Sequence, residues 1–136
     1  MRPEPVAIST NCRPALAALR RDALRREQWD VALQILEAEL GLERTTGERG
    51  RLLAVAGELW LDHLQDAEQA LTHFERALEV LPGDLVSLEG AARAATRSAQ
   101  PTKAAAFWER IAGLCDGADR ARARVAQAEL VDPARA

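Results

Sequence analysis

The sequence predicts an all-α protein, and three observations support that fold class. Apolar residues recur at intervals of three and four along most of the chain, which is the period of a helix with one buried face. No segment shows the two-residue alternation or the β-branched enrichment of a strand. Alanine is abundant, whereas aromatic residues make up only 4% of the chain, so we expect helices that pack at close range.

Seven segments carry this helical period, and short polar or glycine-containing breaks separate them. Residues 1–11 hold two prolines and no helical period, so we expect an extended leader there. A short tail is expected over residues 132–136. The predicted helices span, in chain order, residues 12–27, 29–40, 51–64, 66–81, 85–97, 101–114 and 119–131.

Several of these helices begin at recognisable start signals. Asp66 and Asp84 each precede an apolar helical run, and an aspartate there can accept a hydrogen bond from a free backbone N–H. Pro101 stands in a first turn. Backbone N–H groups have no partner within the helix at that position, so proline costs no hydrogen bond there. Thr45 followed by Glu48 predicts a capping box that opens the third helix.

A spacing pattern recurs along the second helix of successive pairs. Within residues 67–84, small and large residues alternate on one stripe and end at a proline turn; they are Ala70, Phe74, Ala77 and Pro82. Ala104 and Trp108 repeat the first two positions 34 residues later. Ala32 and Leu36 repeat them 38 residues earlier. A helix pair repeated at about 34 residues is typical of a solenoid.

The stretch LQDAEQALTHFERALEVLPGD resembles the second half of a tetratricopeptide repeat. In that family a small residue, an aromatic, a second small residue and a closing proline recur at these offsets. The resemblance covers residues 12–131 and implies a right-handed α-solenoid of antiparallel helix pairs. The implied units are three repeats, at residues 13–44, 51–84 and 85–118, and a capping helix at residues 119–131.

The chain departs from the family pattern at several positions. Glu39 stands where the first repeat should carry its second small residue, and Ile111 stands there in the third repeat. Glu58 and Ala92 occupy first-helix positions where the family often has glycine. These departures affect the repeat boundaries more than the architecture.

The three tryptophans are expected to have packing roles. Trp29 begins a second helix and Trp108 takes the large packing position of the third repeat, so both are expected in the core. Trp60 falls on a first helix, where small residues are more usual. We expect it to wedge against the neighbouring repeat; the alternative is a partly exposed ring.

Composition and charge exclude several classes of protein. The net charge of −3 argues against a general nucleic-acid binder, which would carry a basic surface. Cys12 and Cys115 match no zinc or redox spacing, and no apolar run reaches signal-peptide or membrane-span length. We therefore expect a soluble, cytoplasmic protein. Arginine almost entirely replaces lysine, Lys103 being the sole lysine, which indicates a GC-rich, bacterial genome.

Catalytic chemistry finds little support in the sequence. His63 and His73 are the only histidines, and neither lies in a metal-binding helix motif or beside a phosphate-cradling glycine loop. We therefore expect no enzyme activity, no cofactor and no bound metal. The alternative is a metal or acid–base site in which His63 works with Asp62.

In the tetratricopeptide family the first helices of each pair line a concave surface, and partners bind there. The repeat register implies a groove-facing set made of Arg21, Arg25, Leu59, Asp62, His63, Glu89, Arg93 and Arg97, with Arg124 added from the last helix. Guanidinium pairs bidentately with carboxylate, so this arginine-rich set favours an acidic partner segment. The alternative is that these arginines are solvated and pair along their own helices with Asp22 or Glu89.

The expected function is that of a protein-interaction module or scaffold, which binds a partner segment in a preformed groove without covalent chemistry. The groove lacks the lysine and asparagine of the carboxylate clamp in chaperone-binding relatives, so a chaperone tail is not the expected ligand. Nucleic acid and membranes are not expected partners. The alternative function is structural, with the chain acting as a homo-oligomerising or array-forming segment of a larger assembly.

Overall fold

The computed structural model describes residues 13–43 and 45–131, and this part of the chain contains seven α-helices and no strand. The all-α prediction is therefore confirmed. The predicted leader and tail, and Cys12, lie outside the described residues. The helices are α1 Arg13–Arg25, α2 Trp29–Leu42, α3 Thr46–Asp62, α4 Ala67–Val80, α5 Leu85–Arg97, α6 Pro101–Leu114 and α7 Gly117–Val131.

Each helix packs mainly against the next helix in the chain, and α3 also contacts α5. The connections between helices are two to four residues long. Neighbouring helices that pack through such short connections run antiparallel. This neighbour-to-neighbour packing is consistent with a helical repeat.

The turn inside each helix pair contains one residue with a left-handed backbone conformation. One non-glycine residue in each turn adopts the left-handed region, which such residues rarely enter; these residues are Glu27, Gln65 and Ala99, with φ of 58°, 56° and 59°. They lie 38 and 34 residues apart, the same offsets as the sequence pattern. The N–H of Gln28 then donates to the carbonyl of Ala23 at 2.9 Å. The N–H of Gln100 donates to Ala95 in the same way, at 2.8 Å, and both bonds close the helix end.

Three of the predicted helix starts are confirmed. The Asp66 carboxylate accepts a hydrogen bond from the N–H of Gln69 at 3.1 Å. The Asp84 carboxylate accepts from the N–H of Ser87 at 3.3 Å and from its hydroxyl at 2.6 Å. Pro101 occupies the first turn of α6. These contacts satisfy backbone donors that a helix start would otherwise leave free.

The start that the apolar pattern predicts for the third helix is wrong. The helix begins at Thr46, five residues earlier, because the glycine-containing stretch before residue 51 is itself helical. Thr45 is the N-cap residue, the position that the Thr45 and Glu48 signal predicts. The predicted capping box does not form, since the Thr45 hydroxyl donates to the Glu43 carboxylate at 2.9 Å. The Arg49 guanidinium instead donates to the carbonyl of Leu40 at 2.8 Å, which satisfies a free acceptor near the end of α2.

The Phe74 ring fills the junction of α3, α4 and α5, where it is fully buried. Gly57 on α3 approaches it so closely that a Cβ there would lie 2.8 Å from two ring carbons. A Cβ at Gly90 on α5 would overlap the ring further. The close approach is therefore made at Gly57 and Gly90, beside the positions of Glu58 and Ala92 where the family pattern expects glycine.

The first repeat replaces a small core residue with a buried ion pair. Glu39 is only 6% exposed and takes the position where an alanine is expected. Its carboxylate accepts from Arg20 of α1, with Nε to Oε2 at 2.6 Å and Nη2 to Oε1 at 3.3 Å. This contact explains how α1 and α2 tolerate a charge between them, since a buried carboxylate needs a partner.

The third repeat fills its large packing position differently from the prediction. Phe107 is buried in the core, whereas the adjacent Trp108 is only partly buried. Consecutive helical residues point about 100° apart, so Phe107 takes the buried position and Trp108 packs at the edge of the same core. Trp29 is likewise only partly buried. Trp60 packs against the core, and its Nε1 atom is buried without a hydrogen-bond partner among the described residues.

Substituting the glycine at position 90 tests the Phe74 junction. Overpacking a core costs about 1–3 kcal/mol, while glycine to alanine in a helix interior gains about 0.5–1 kcal/mol. We therefore expect Gly90→Ala to lower the free energy of unfolding by about 1–2 kcal/mol in urea denaturation. Gly113→Ala is the control, because that site has no atom within 4 Å of an added Cβ, and it should be neutral or stabilising. Equal effects of the two substitutions would contradict the packing described.

Candidate functional site

Helices α3 and α5 contribute adjacent stripes of residues to one face of the fold. Each stripe has helical spacing of three to four residues, so its members share a side of their helix. We call these six residues the odd-helix face; they are Val55, Glu58, Asp62, Glu89, Arg93 and Arg97. The two stripes are joined by charge pairs, which places them side by side.

The joining contacts converge on one carboxylate. Arg93 donates from Nη1 to Oδ1 of Asp62 at 3.5 Å, and Nη1 of Arg97 lies 3.9 Å from the same oxygen. Arg97 also donates to the carbonyl of Leu61 at 3.1 Å. Two of the predicted groove arginines are thus engaged with α3, where they fix α5 against it.

A cavity of about 280 Å³ opens beside α3, and we call it the Trp29 cavity. Leu24, Val55 and Leu59 supply its apolar lining. The Trp29 ring stacks on the His63 ring at one side, with centroids 3.7 Å apart and planes tilted by 12°. The cavity therefore combines an apolar lining with an aromatic wall.

A second cavity, of about 360 Å³, lies where α5, α6 and α7 meet. We call it the Trp108 cavity. Leu85, Trp108 and Ile111 supply apolar surface, and Glu89 lies at its α5 side. The α7 side carries an ion pair between Asp119 Oδ1 and Arg122 Nη1 at 3.5 Å. Leu85 is 43% exposed, so this apolar surface is accessible from outside.

Glu58 is the titratable group that its surroundings perturb most clearly. Burial raises the pKa of its carboxyl above the usual range, and the neighbouring charges of Asp62 and Asp84 raise it further. Arg93 acts in the opposite direction and lowers it. Glu58 makes no hydrogen bond within residues 13–43 and 45–131, so its charged form lacks a close donor.

This raised pKa predicts a pH-dependent effect of Glu58→Gln. The folded state binds the proton of Glu58 more tightly than the unfolded chain, so wild-type stability falls as the pH rises from the ordinary value of 4.5 through the higher folded-state pKa. We therefore expect Glu58→Gln to be more stable than wild type at neutral pH, with the difference shrinking as the pH falls towards 4.5. Thermal melting of both proteins across this range measures the difference.

The control for that experiment is Glu37→Gln, which removes an exposed carboxylate of α2. Exposed substitutions of this kind usually change stability by less than about 0.5 kcal/mol. A stability difference for Glu58→Gln that does not depend on pH would contradict the account of its environment.

The predicted groove residues do not form one continuous set. Asp62, Glu89, Arg93 and Arg97 lie on the odd-helix face, with His63 at its edge in the Trp29 cavity. Leu59 is buried beneath that cavity. The remaining members, Arg21, Arg25 and Arg124, lie on α1 and α7.

Those remaining arginines have surroundings of their own. Arg25 pairs with Asp22 on the same helix, from Nη2 to Oδ1 at 2.7 Å, as the alternative of solvated pairing predicts. Arg124 donates to Gln127 at 3.2 Å. Arg21 lines a different cavity, beside the buried pair of Arg20 and Glu39.

Several arginines have a structural role that the sequence pattern did not reveal. Arg110 donates to the carbonyl of Pro82 at 2.9 Å, which joins α6 to the end of α4. Arg120 donates from Nε to the carbonyls of Ala112 and Cys115 at 3.0 and 2.9 Å. Guanidinium groups placed in this way satisfy carbonyls that a helix end leaves free.

The apolar residues that open onto the two cavities were also missed. Leu85, Val55 and Trp108 were not expected at a binding surface. A signal was present for Trp108, since it follows Phe107 directly and two neighbouring residues on a helix point about 100° apart, so one of the two rings lies nearer the surface.

No family model matches this chain, and no curated protein matches it significantly. The tetratricopeptide resemblance therefore stays a prediction. Within the described ranges, no group of three or more His, Cys, Asp or Glu side chains could hold a metal ion. No helix there is long and apolar enough to cross a membrane.

Proposed function

We propose that this chain is a protein-interaction module of the tetratricopeptide type, built as a right-handed solenoid of three helix pairs and a capping helix. Packing of each helix on its neighbour supports it, as do the three left-handed turns at repeat spacing. Solenoids of this kind present extended surfaces that suit partner recognition. The cytoplasmic location expected from the sequence is part of the same proposal.

The odd-helix face is the proposed binding surface. The observation that carries this assignment is the pair of apolar cavities beside it, each with a partly buried tryptophan. Partly exposed aromatic residues in pockets are typical anchors of protein interfaces. The ion pairs from Arg93 and Arg97 to Asp62 hold the face in place before a partner arrives, which lowers the entropic cost of binding.

Affinity capture from the native host, with two matched double variants, tests this function. Leu85→Glu with Glu89→Lys alters the Trp108 cavity and the odd-helix face. Glu68→Lys with Thr72→Glu makes the same change in net charge on exposed residues of α4, at the same four-residue spacing. Circular dichroism first establishes that both variants remain helical.

We expect a partner that wild type and the α4 variant retain and that the face variant loses. Because the two variants share their net charge, such a difference reports the position of the change rather than its electrostatics in general. Equal capture by all three proteins would contradict the assignment of the face.

A homo-oligomerising segment is the second candidate function. It is favoured by exposed large apolar residues at both ends of the helix series, Leu19 and Val31 at the first end and Leu114 and Val125 at the last. Ends of this kind could stack head to tail, which gives open arrays. Sedimentation over a range of concentrations distinguishes the two functions, since a strict monomer at high concentration removes this one.

A further inference from the structure

We infer that the odd-helix face recognises a basic partner segment in which lysine or arginine alternates with aliphatic residues. The inference rests on the proposed function and names the chemistry of the partner. It predicts a basic partner segment, whereas the number of arginines in the sequence suggested an acidic one. The reversal follows from which charges on the face are already paired.

The arginines of the face are already engaged. Arg93 and Arg97 both lie within 4 Å of the Asp62 carboxylate, and Arg97 also holds a backbone carbonyl. An acidic partner would therefore approach guanidinium groups whose charge Asp62 already offsets in part, and the Asp62 carboxylate beside them would repel it.

The unpaired charges of the face are carboxylates. Glu58 and Glu89 make no hydrogen bond and no ion pair within the described ranges of the chain. In the Trp108 cavity the other two charges, Asp119 and Arg122, pair with each other. Each cavity is therefore left with one carboxylate beside apolar surface and a tryptophan.

The size and lining of the cavities fit single cationic side chains. Volumes of about 280 and 360 Å³ lie at the lower limit of small-molecule sites, which span roughly 300–1,000 Å³. Lysine and arginine bury aliphatic stems along apolar surface while the charged head stays at a polar rim. A cation near an indole ring gains further attraction, and Trp29 and Trp108 each line one of the two cavities.

Glu58 gives a specific reason to prefer a cation. Its carboxylate is partly buried without a hydrogen-bond donor. Burial and the neighbouring carboxylates, Asp62 and Asp84, raise its pKa by more than Arg93 lowers it, and so disfavour the charged form. A partner ammonium or guanidinium group placed there would offset both effects. An anionic or neutral side chain would leave them in place.

Each cavity is lined in part by residues of the odd-helix face, Asp62 in the Trp29 cavity and Glu89 in the Trp108 cavity. Glu89 of the Trp108 cavity and Arg93 lie one helical turn apart and so share a face. Arg93 in turn reaches Asp62, which lines the Trp29 cavity. One extended segment can therefore pass over both cavities and place a basic side chain in each.

Two synthetic peptides that differ only in charge test the inference. The probes are acetyl-GLKGLKGLKG-amide and acetyl-GLEGLEGLEG-amide, titrated against the full chain with tryptophan fluorescence and isothermal calorimetry. We expect the lysine peptide to bind and to bind more tightly than the glutamate peptide by at least about fivefold, with affinity falling as salt rises. Glu58→Gln and Glu89→Gln should each weaken the lysine peptide by about threefold, the range of a partly exposed ion pair.

Glu37→Gln is the matched control, because it removes one exposed carboxylate of α2, away from both cavities. It should leave the affinity for the lysine peptide unchanged. Equal weakening by Glu37→Gln and the two face variants would overturn the inference, since it would show binding by net charge alone. Tighter binding of the glutamate peptide, equal binding of both peptides, or no binding of either would overturn it as well.

The peptide experiment and the capture experiment test the two proposals independently. If a host partner depends on the odd-helix face but the lysine peptide is not preferred, the proposed function stands and the inference of a basic partner segment is wrong. If the lysine peptide binds through Glu58 and Glu89 but no host partner depends on the face, the charge preference stands and the proposed function is wrong.

Discussion

Phe74→Ala is expected to lower the free energy of unfolding by about 3–5 kcal/mol, the range for deleting a buried aromatic ring. The ring is fully buried and touches both Gly57 and Gly90, so its removal opens a cavity among three helices at once. Gly57 and Gly90 carry no side chain that could fill the space on their side of the ring. Urea denaturation followed by circular dichroism measures the loss.

Leu114→Ala serves as the comparison, because it truncates a large apolar side chain that is 55% exposed. It should change stability by no more than about 0.5 kcal/mol. A loss below about 1 kcal/mol for Phe74→Ala, less than the substitution of a well-packed residue allows, would show that the junction collapses without it.

Glu39→Ala is expected to destabilise the fold by about 3–5 kcal/mol, because it leaves the Arg20 guanidinium without its buried partner. The effect should exceed that of an ordinary surface ion pair, whose loss costs roughly 0–1 kcal/mol. Asp22→Ala supplies that reference, since it removes the exposed ion pairs of Asp22 with Arg25 and Arg26. Both losses are read from the same denaturation curves.

The double variant Arg20→Met with Glu39→Leu separates burial of charge from loss of volume. Replacing a buried pair with apolar residues of similar size is often neutral or stabilising. We therefore expect the double variant to recover most of the stability that Glu39→Ala loses. A double variant as unstable as the single one would mean that the contact between α1 and α2 needs the charges themselves.

The helical fold was predictable because it depends on local features. Apolar periodicity locates each helix without reference to the rest of the chain, and the aspartates at positions 66 and 84 cap helices through residues only three positions away. The apolar pattern missed the first turn of α3 because glycines 47 and 50 suggested a linker. That stretch is helical, and Gly50 lies close against the Leu81 side chain.

The features that were not predictable depend on contacts between distant residues. Glu39 looked like a defect in the first repeat because its partner, Arg20, lies 19 residues away on another helix. The packing role of Gly57 and Gly90 cannot be inferred from the sequence, because it depends on their contact with Phe74 on another helix. Periodicity indicates which side of a helix is buried, but it does not say which side chains meet there.

The same limit applies to the candidate site. The sequence predicted Asp62, Glu89, Arg93 and Arg97 at first-helix positions, since helical spacing decides which residues share a side of a helix. It could not show that both arginines lie beside the Asp62 carboxylate. The acidic partner predicted from the number of arginines was inferred without knowledge of this pairing across helices.

The central claim is that a partner binds the odd-helix face beside the Trp108 cavity. Photo-crosslinking in the native host tests it most directly, with benzoylphenylalanine placed at Leu85 in one protein and at Thr72 on α4 in another. Both positions are exposed, so each can report a partner that comes close. We predict a discrete crosslinked partner from position 85 and none from position 72. Crosslinks from position 72 alone, or from neither position, would contradict the account.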